Sequence, residues 1–93
     1  MPLAIPDVEK EVTDGTDTDH PSKVILFNDE IHTFEDVAGQ LVKAIRCSYS
    51  RGMEYATEVH TRGKACVYTG EVKECLRVSG ILEQIGLHTQ IEM

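Results

Sequence analysis

A short apolar segment that ends in three polar residues limits the folding of this chain more than any other feature. Residues 24–27 (VILF) are apolar on both faces, as in a strand covered on one face by helices. The segment ends abruptly in Asn28, Asp29 and Glu30. About thirty residues later, residues 59–65 (VHTRGKA) resemble a helix end that carries a lone His60, followed by Gly63 as a left-handed C-cap.

The remaining periodicity predicts the element order β-α-α-β-α-β. Thr33 and Asp36 form a capping box ahead of a first helix over 34–46. Ser48 or Ser50 caps a second helix that reaches about residue 62, and residues 64–68 (KACVY) form a second strand.

The third helix is expected to follow a cap at Thr69 and to end at Gly86, before a closing edge strand over 87–91. The positions expected to be buried on this helix are the apolar ones: Val72, Cys75, Leu76, Leu82 and Ile85.

These elements predict a single small α+β domain with a three-stranded, mainly antiparallel sheet and three helices packed on one face. Residues 23–93 form this core domain. Residues 1–22 hold six acids against one lysine, which predicts a flexible acidic N-terminal extension.

The charge distribution excludes several kinds of partner. The chain carries a net charge of −7, of which residues 1–22 contribute −5 and the core −2. No basic stripe suits a phosphate backbone, so we expect no nucleic-acid partner. No segment approaches the roughly 18 apolar residues of a membrane span, and no signal or transit peptide is visible. We therefore expect a soluble cytoplasmic protein with no membrane partner.

The side chains also argue against catalysis. The three cysteines are odd in number and lack CxxC spacing, so a disulfide framework and a zinc knuckle are disfavoured. They are expected to be small core residues. The sequence has no phosphate-binding glycine loop and no GxSxG elbow. Cys66 and His60 could form a pair, but a buried thiol in mid-strand is usually inert. We therefore expect no enzymatic activity and no cofactor.

The polar residues themselves leave several interpretations open. Asn28, Asp29 and His60, if the fold brings them together, form a cluster of acceptors suited to a cation and lacking a nucleophile. Each part alone is more often structural: a capping imidazole, or a turn in which Asn and Asp bind the local backbone. His32, His60, Asp29 and Glu30 could surround a metal ion, but they lack HExxH spacing, and we expect no metal site.

Two segments at this separation resemble the ClpS adaptor family, whose members deliver proteins to a bacterial ATP-dependent Clp protease. KVILFNDE is similar to the family's KVxLxNDD strand, and ATEVHTRGKA to its AxxVHxxGKA helix end. The later TGEVKE…LEQIGLHTQIE is similar to the family's TxEVAE helix and closing strand. The resemblance covers residues 23–93.

The resemblance implies a non-enzymatic adaptor for N-degrons, which are bulky hydrophobic N-terminal residues. Its partners would be proteins that begin with Leu, Phe, Tyr or Trp and a Clp-type AAA+ unfoldase, ClpA- or ClpC-like; the adaptor would be a monomer.

By position, Asn28, Asp29 and His60 would bind the substrate's α-amino group. The side-chain pocket would have an apolar wall of five residues: Leu26, Phe34, Val37, Ala56 and Val59. Glu30 and His32 would lie at its rim, and Glu71 and Glu74 would dock on the unfoldase.

Six positions depart from the family pattern. Glu30 replaces an Asp, and His32-Thr33-Phe34 replaces Thr-Pro-Met. Ala56 stands where a Met is frequent, and Leu76 replaces a basic docking residue. Two alternatives follow: a regulatory domain that docks on an unfoldase but has lost or altered N-degron binding, or a small metal-binding protein.

Overall fold

The computed structural model describes residues 20–93; most of the predicted 1–22 extension lies outside this range. The observed elements are β1 (Ser22–Phe27), α1 (Phe34–Ile45), α2 (Tyr49–Arg62), β2 (Lys64–Gly70), α3 (Val72–Glu83) and β3 (His88–Glu92). The strands form one antiparallel sheet in the order β2-β1-β3. The predicted fold class and element order are confirmed.

The core lies between one face of this sheet and the helices. Val24 and Leu26 point to that side and are fully buried, and Leu26 pairs with Ala65 of β2. The α2 helix packs on β2, α3 packs on all three strands, and α1 packs on the other two helices. A bulge in the β1–β2 pairing lets Val67 and Tyr68 both pack against this core.

The helix ends follow the predicted local chemistry. Thr33 and Asp36 form the capping box: the Asp36 N–H donates to Thr33 Oγ1 at 3.0 Å, and the Thr33 N–H donates to Asp36 Oδ2 at 3.2 Å. Ser48, rather than Ser50, caps α2 by accepting the Arg51 N–H. Gly63 ends α2 in the left-handed region at φ +88°. Both ends of the α1–α2 hairpin are therefore determined locally.

The prediction for the start of α3 was wrong. Thr69 lies in β2, paired with Lys23, and Glu71 occupies the N-cap position without a side-chain hydrogen bond. The reason is that β1 begins at Ser22, which pairs with Gly70 and so extends β2 by two residues. The end of a strand here depends on its partner strand, which local sequence does not reveal.

The predicted buried face of α3 was also partly wrong. Val72, Leu76 and Ile85 are 42%, 60% and 39% exposed. The buried positions are Cys75, Val78 and Leu82, which recur at i, i+3 and i+7 and form one stripe. Val72 and Leu76 flank this stripe on the solvent side, and Ile85 lies beyond the end of the helix.

The cysteines occupy three different environments. Cys75 is buried, Cys47 is half-buried and Cys66 is exposed on the sheet face away from the helices. The expectation that Cys66 is a buried core thiol was therefore wrong. Strand alternation turns it outward, because its neighbours Ala65 and Val67 both face the core.

Within residues 20–93, no helix has the length and apolar character needed to cross a bilayer.

The crossing of α1 and α2 depends on Gly52. A Cβ at Gly52 would lie 2.9 Å from the Ala38 carbonyl oxygen. This oxygen belongs to the backbone of α1, so it cannot move away as the end of a flexible side chain could. We expect Gly52→Ala to lower the free energy of unfolding by about 1–2 kcal/mol, because overpacking outweighs the better helix propensity of Ala. Gly39→Ala in α1 is the control, since nothing lies within 4 Å of its Cβ position. Denaturant unfolding should show the control unchanged or stabilised; equal stability of both variants would contradict this account.

Candidate functional site

The cluster predicted from the two sequence segments lies at one cavity. Asn28 and Asp29, which follow β1, and His60, in the last turn of α2, line a cavity of about 460 Å³. The Asn28 N–H donates to the Gly63 carbonyl at 2.9 Å, which joins the end of β1 to the end of α2. This hydrogen bond explains why residues more than thirty positions apart share one site.

The apolar wall of the cavity is continuous with the core. Leu26, Ala56 and Val59 are buried, whereas Phe34 and Val37 are half-buried. All five side chains predicted for the wall line this cavity. A wall that belongs to the core is rigid, since its side chains are packed from behind.

Leu87 is a wall residue that the sequence did not identify. It is 4% exposed and lines the same cavity, just ahead of β3. Phe27 and Thr33 line it as well. Residues 87–91 were predicted only as a closing edge strand, and that pattern did not indicate that Leu87 lies at the cavity.

His60 is positioned by an aromatic neighbour. Its ring lies edge-on to the ring of Phe34, with centroids 5.2 Å apart and planes inclined by 62°. Phe34 is the first residue of α1, fixed by the capping box that precedes it. The imidazole is exposed and lines the cavity, so it packs against Phe34 while its ring nitrogens can still meet a ligand.

Asp29 accepts a dense set of hydrogen bonds. Its Oδ1 accepts the backbone N–H groups of Ile31 and His32, both at 2.9 Å, and its Oδ2 lies 2.7 Å from Nδ1 of His32. Burial by itself would raise the pKa of Asp29, but these hydrogen bonds together hold it below its usual value. Asp29 is therefore an ionised, oriented acceptor at neutral pH.

His32 bridges two segments at the rim. Its Nε2 lies 2.5 Å from the carbonyl oxygen of Ile85, in the turn between α3 and β3. This hydrogen bond, and then the Asp29 carboxylate, raise the pKa of His32 above its ordinary value. Glu30 also lines the cavity and is exposed. Both predicted rim residues thus lie at the cavity, and His32 is already engaged.

Glu71 and Glu74 lie apart from the cavity, at the start of α3. Glu71 is the exposed N-cap residue, and Glu74 forms an ion pair with Arg77 at 2.8 Å. Leu76 is exposed on the same helix. The acidic residues predicted for docking therefore belong to a different surface from the cavity.

The other chemistries considered have little geometric support. Within the described range of the chain, no group of three or more His, Cys, Asp or Glu side chains is arranged to hold a metal ion. Cys66 lines a separate surface pocket with Ile25 and Lys64, whereas His60 lies at the main cavity. Burial raises the pKa of the Cys75 thiol, which keeps it protonated.

The fold and the cavity define a small α+β domain with an open site that is polar at one end and apolar along its wall. Residues 17–90 match the family model described as ATP-dependent Clp protease adaptor protein ClpS. The chain is 35% identical over 71 residues to the ClpS of Thermosynechococcus vestitus, which covers 75% of this chain and 73% of that protein. This chain belongs to the ClpS adaptor family.

Two further comparisons extend this relationship. The chain is 37% identical over 65 residues to the E3 ubiquitin-protein ligase UBR2 of Mus musculus, which is 70% of this chain but only 4% of that ligase. In structure it is similar to Agrobacterium tumefaciens ClpS2 bound to L-phenylalaninamide, with a TM-score of 0.73 and 24% identity over 77% of this chain and 94% of that one. The structural likeness supports the fold.

Proposed function

We propose that this protein is a non-enzymatic adaptor that binds the free N-terminus of substrates whose first residue is large and hydrophobic. The observation that carries the proposal is the convergence of Asn28, Asp29 and His60 at the polar end of a cavity with an apolar wall. Both halves of an N-terminal residue, its ammonium group and its side chain, have a complementary surface in this one site.

The polar end suits an ammonium group. A peptide α-amino group has a pKa of about 7.7–8.0 and, when charged, offers three N–H donors. Asn28 can accept through its amide oxygen, Asp29 through a carboxylate, and neutral His60 through a ring nitrogen. The carboxylate contact is charge-assisted and therefore stronger than the other two.

The apolar wall suits a large first side chain. Leu26, Ala56, Val59 and Leu87 form the buried part of this wall, and the half-buried Phe34 also lines the cavity. Burial of a Phe or Leu side chain contributes roughly 2–3 kcal/mol. Because the ammonium site and the apolar wall adjoin, a chain end would fit both, whereas an internal residue lacks the ammonium. We propose Leu, Phe, Tyr and Trp as first residues.

The relatives support this proposal. The ClpS2 protein of similar fold is bound to L-phenylalaninamide, an aromatic residue with a free amino group. By its family, this chain would deliver its cargo to a Clp-type AAA+ unfoldase, ClpA- or ClpC-like, in the cytoplasm. We assign docking to the start of α3, where Glu71 and Glu74 leave the cavity free for substrate.

A binding titration tests the proposal directly. We expect fluorescently labelled peptides that begin with Phe or Leu to bind with saturable anisotropy changes. N-acetylated versions should bind at least tenfold more weakly, because acetylation removes the charge and two of the three donors. A peptide that begins with Asp is the specificity control. If neither free peptide binds, the proposal gives way to an unfoldase-docking domain that has lost N-degron binding.

A further inference from the structure

The ring of His32 contacts an acceptor at each of its nitrogens. Nδ1 lies 2.7 Å from Asp29 Oδ2, and Nε2 lies 2.5 Å from the Ile85 carbonyl oxygen. A peptide carbonyl has no proton to donate, so Nε2 must carry one. An ionised carboxylate also only accepts, so Nδ1 must carry one too. Both contacts can therefore be hydrogen bonds at the same time only in the doubly protonated, cationic ring.

The bridge joins two segments that are 53 residues apart in sequence. On one side is the β1–α1 loop, which holds Asn28 and Asp29. On the other is the α3–β3 turn, where Gly86 has φ +88° and a Cβ would lie 3.7 Å from the His32 ring. The His32 ring therefore packs closely on the turn that contains Gly86. The contact with the Ile85 carbonyl in this turn keeps the ring in place.

We infer that His32 is a positioning residue of the amino-group site, holding the Asp29 carboxylate in the orientation that receives a substrate ammonium. This inference rests on the proposed function. Oδ1 of Asp29 already accepts two backbone N–H groups and Oδ2 accepts one ring N–H. Since each carboxylate oxygen accepts about two hydrogen bonds, one position remains, on Oδ2. The bridge determines where that position points.

The bridge also changes the electrostatics of the site. Asp29 and cationic His32 form an ion pair with Nδ1 and Oδ2 2.7 Å apart, and the Asp29 carboxylate is the charged acceptor of that pair that a ligand ammonium would meet. The other charged groups near the ring are Asp36 on α1 and Glu30 on the same loop, with His60 across the cavity. The carboxylates favour the cationic ring, whereas a protonated His60 would oppose it.

The positioning role predicts a specific pH dependence. A neutral ring can donate to Asp29 or to Ile85, but not to both. Because the pKa of His32 is raised, the bridge is complete below about pH 6.5 and is lost as pH rises through the raised value. Loss of the bridge should loosen the Asp29 carboxylate and weaken ligand binding on the alkaline side.

The first part of the test uses the free protein. ¹⁵N NMR of the imidazoles should show both His32 nitrogens protonated at pH 6.5 and a titration midpoint above 6.5. Asp29→Asn should lower that midpoint. A His32 that is neutral at pH 6.5 in the parent would overturn the inference whatever the ligand.

The second part measures the affinity for a Phe-initiated peptide between pH 6 and 8. We expect His32→Gln to bind about three- to tenfold more weakly at pH 6. The ratio between parent and variant should shrink toward one as pH rises, since the parent then loses its own bridge; a merely structural role would leave the ratio constant. Ammonium deprotonation affects both proteins equally and cancels in the ratio.

The control for loss of an imidazole is His20→Gln, which should leave affinity unchanged because His20 is exposed ahead of β1 and does not line the cavity. If the parent binds and His32→Gln binds equally at every pH, or more weakly by a constant ratio, the positioning role alone is overturned. If the parent binds no free N-terminus, the proposed function is contradicted and the positioning role with it.

Discussion

Replacement of Asp29 by Asn is expected to weaken binding of a Phe-initiated peptide by about 10- to 150-fold, equivalent to about 1.5–3 kcal/mol. The substitution keeps the size of the side chain and one carbonyl-type acceptor. It removes the charge that pairs with the substrate ammonium, and it leaves one nitrogen facing N–H donors. Fluorescence anisotropy at pH 6.5 measures the change in Kd.

Glu35→Gln is the matched control. Glu35 is exposed in the first turn of α1, and the substitution removes one negative charge near the site. Its effect on Kd should stay within about twofold, because exposed charges are screened. The N-acetylated peptide, which lacks the ammonium, should bind the parent and Asp29→Asn with the same weak affinity. A fully folded Asp29→Asn protein that binds the free peptide like the parent would show that the amino-group site lies elsewhere.

Much of the site was predictable because its residues adjoin strong local signals. Asn28 and Asp29 follow an unmistakable strand end, and His60 precedes the Gly63 that ends α2. The hydrogen bond from the Asn28 N–H to the Gly63 carbonyl directly links the end of β1 to the end of α2. Local chemistry therefore located each polar group, and the resemblance to the family supplied their convergence, which the structure shows at one cavity.

The features that escaped prediction all depend on distant partners. The bridge from His32 to Ile85 requires the α3–β3 turn to return beside the β1–α1 loop, and no periodicity encodes that contact. The start of α3 depends on how far β1 pairs with β2, so Thr69 was mistaken for a cap. Exposure of Cys66 depends on which sheet face the helices cover. Each of these three features is decided by the tertiary structure and not by the local sequence.

The surface that we propose for unfoldase docking combines apolar and acidic side chains. Leu76 is 60% exposed and Val72 is 42% exposed, so apolar side chains flank the acidic start of α3. Glu74 is paired with Arg77, which leaves Glu71 as the acid more available to a partner. We therefore propose that an unfoldase domain docking here would meet a mixed apolar and acidic surface.

Binding of a Phe- or Leu-initiated peptide is expected to weaken by up to tenfold per pH unit as pH falls from about 7.5 to 5, the range in which imidazole side chains in general gain a proton. His60 is proposed to accept a hydrogen bond, so it must be neutral. Protonation would convert the acceptor into a donor and place a second positive charge beside the substrate ammonium. This acid-side loss has the opposite direction to the alkaline-side loss expected from His32, so the two histidines can be separated.

Neither the substrate ammonium nor the Asp29 carboxylate can produce the acid-side loss. The ammonium stays charged below its pKa of about 8. Asp29, whose pKa is held below the usual value, stays ionised well below pH 5. His60→Gln offers an amide oxygen that does not titrate in this range, so its affinity should stay flat between about pH 5 and 7 while the parent's falls. A flat parent profile, or an equal fall in both proteins, would mean that His60 is structural and packs on Phe34 without contacting the amino group.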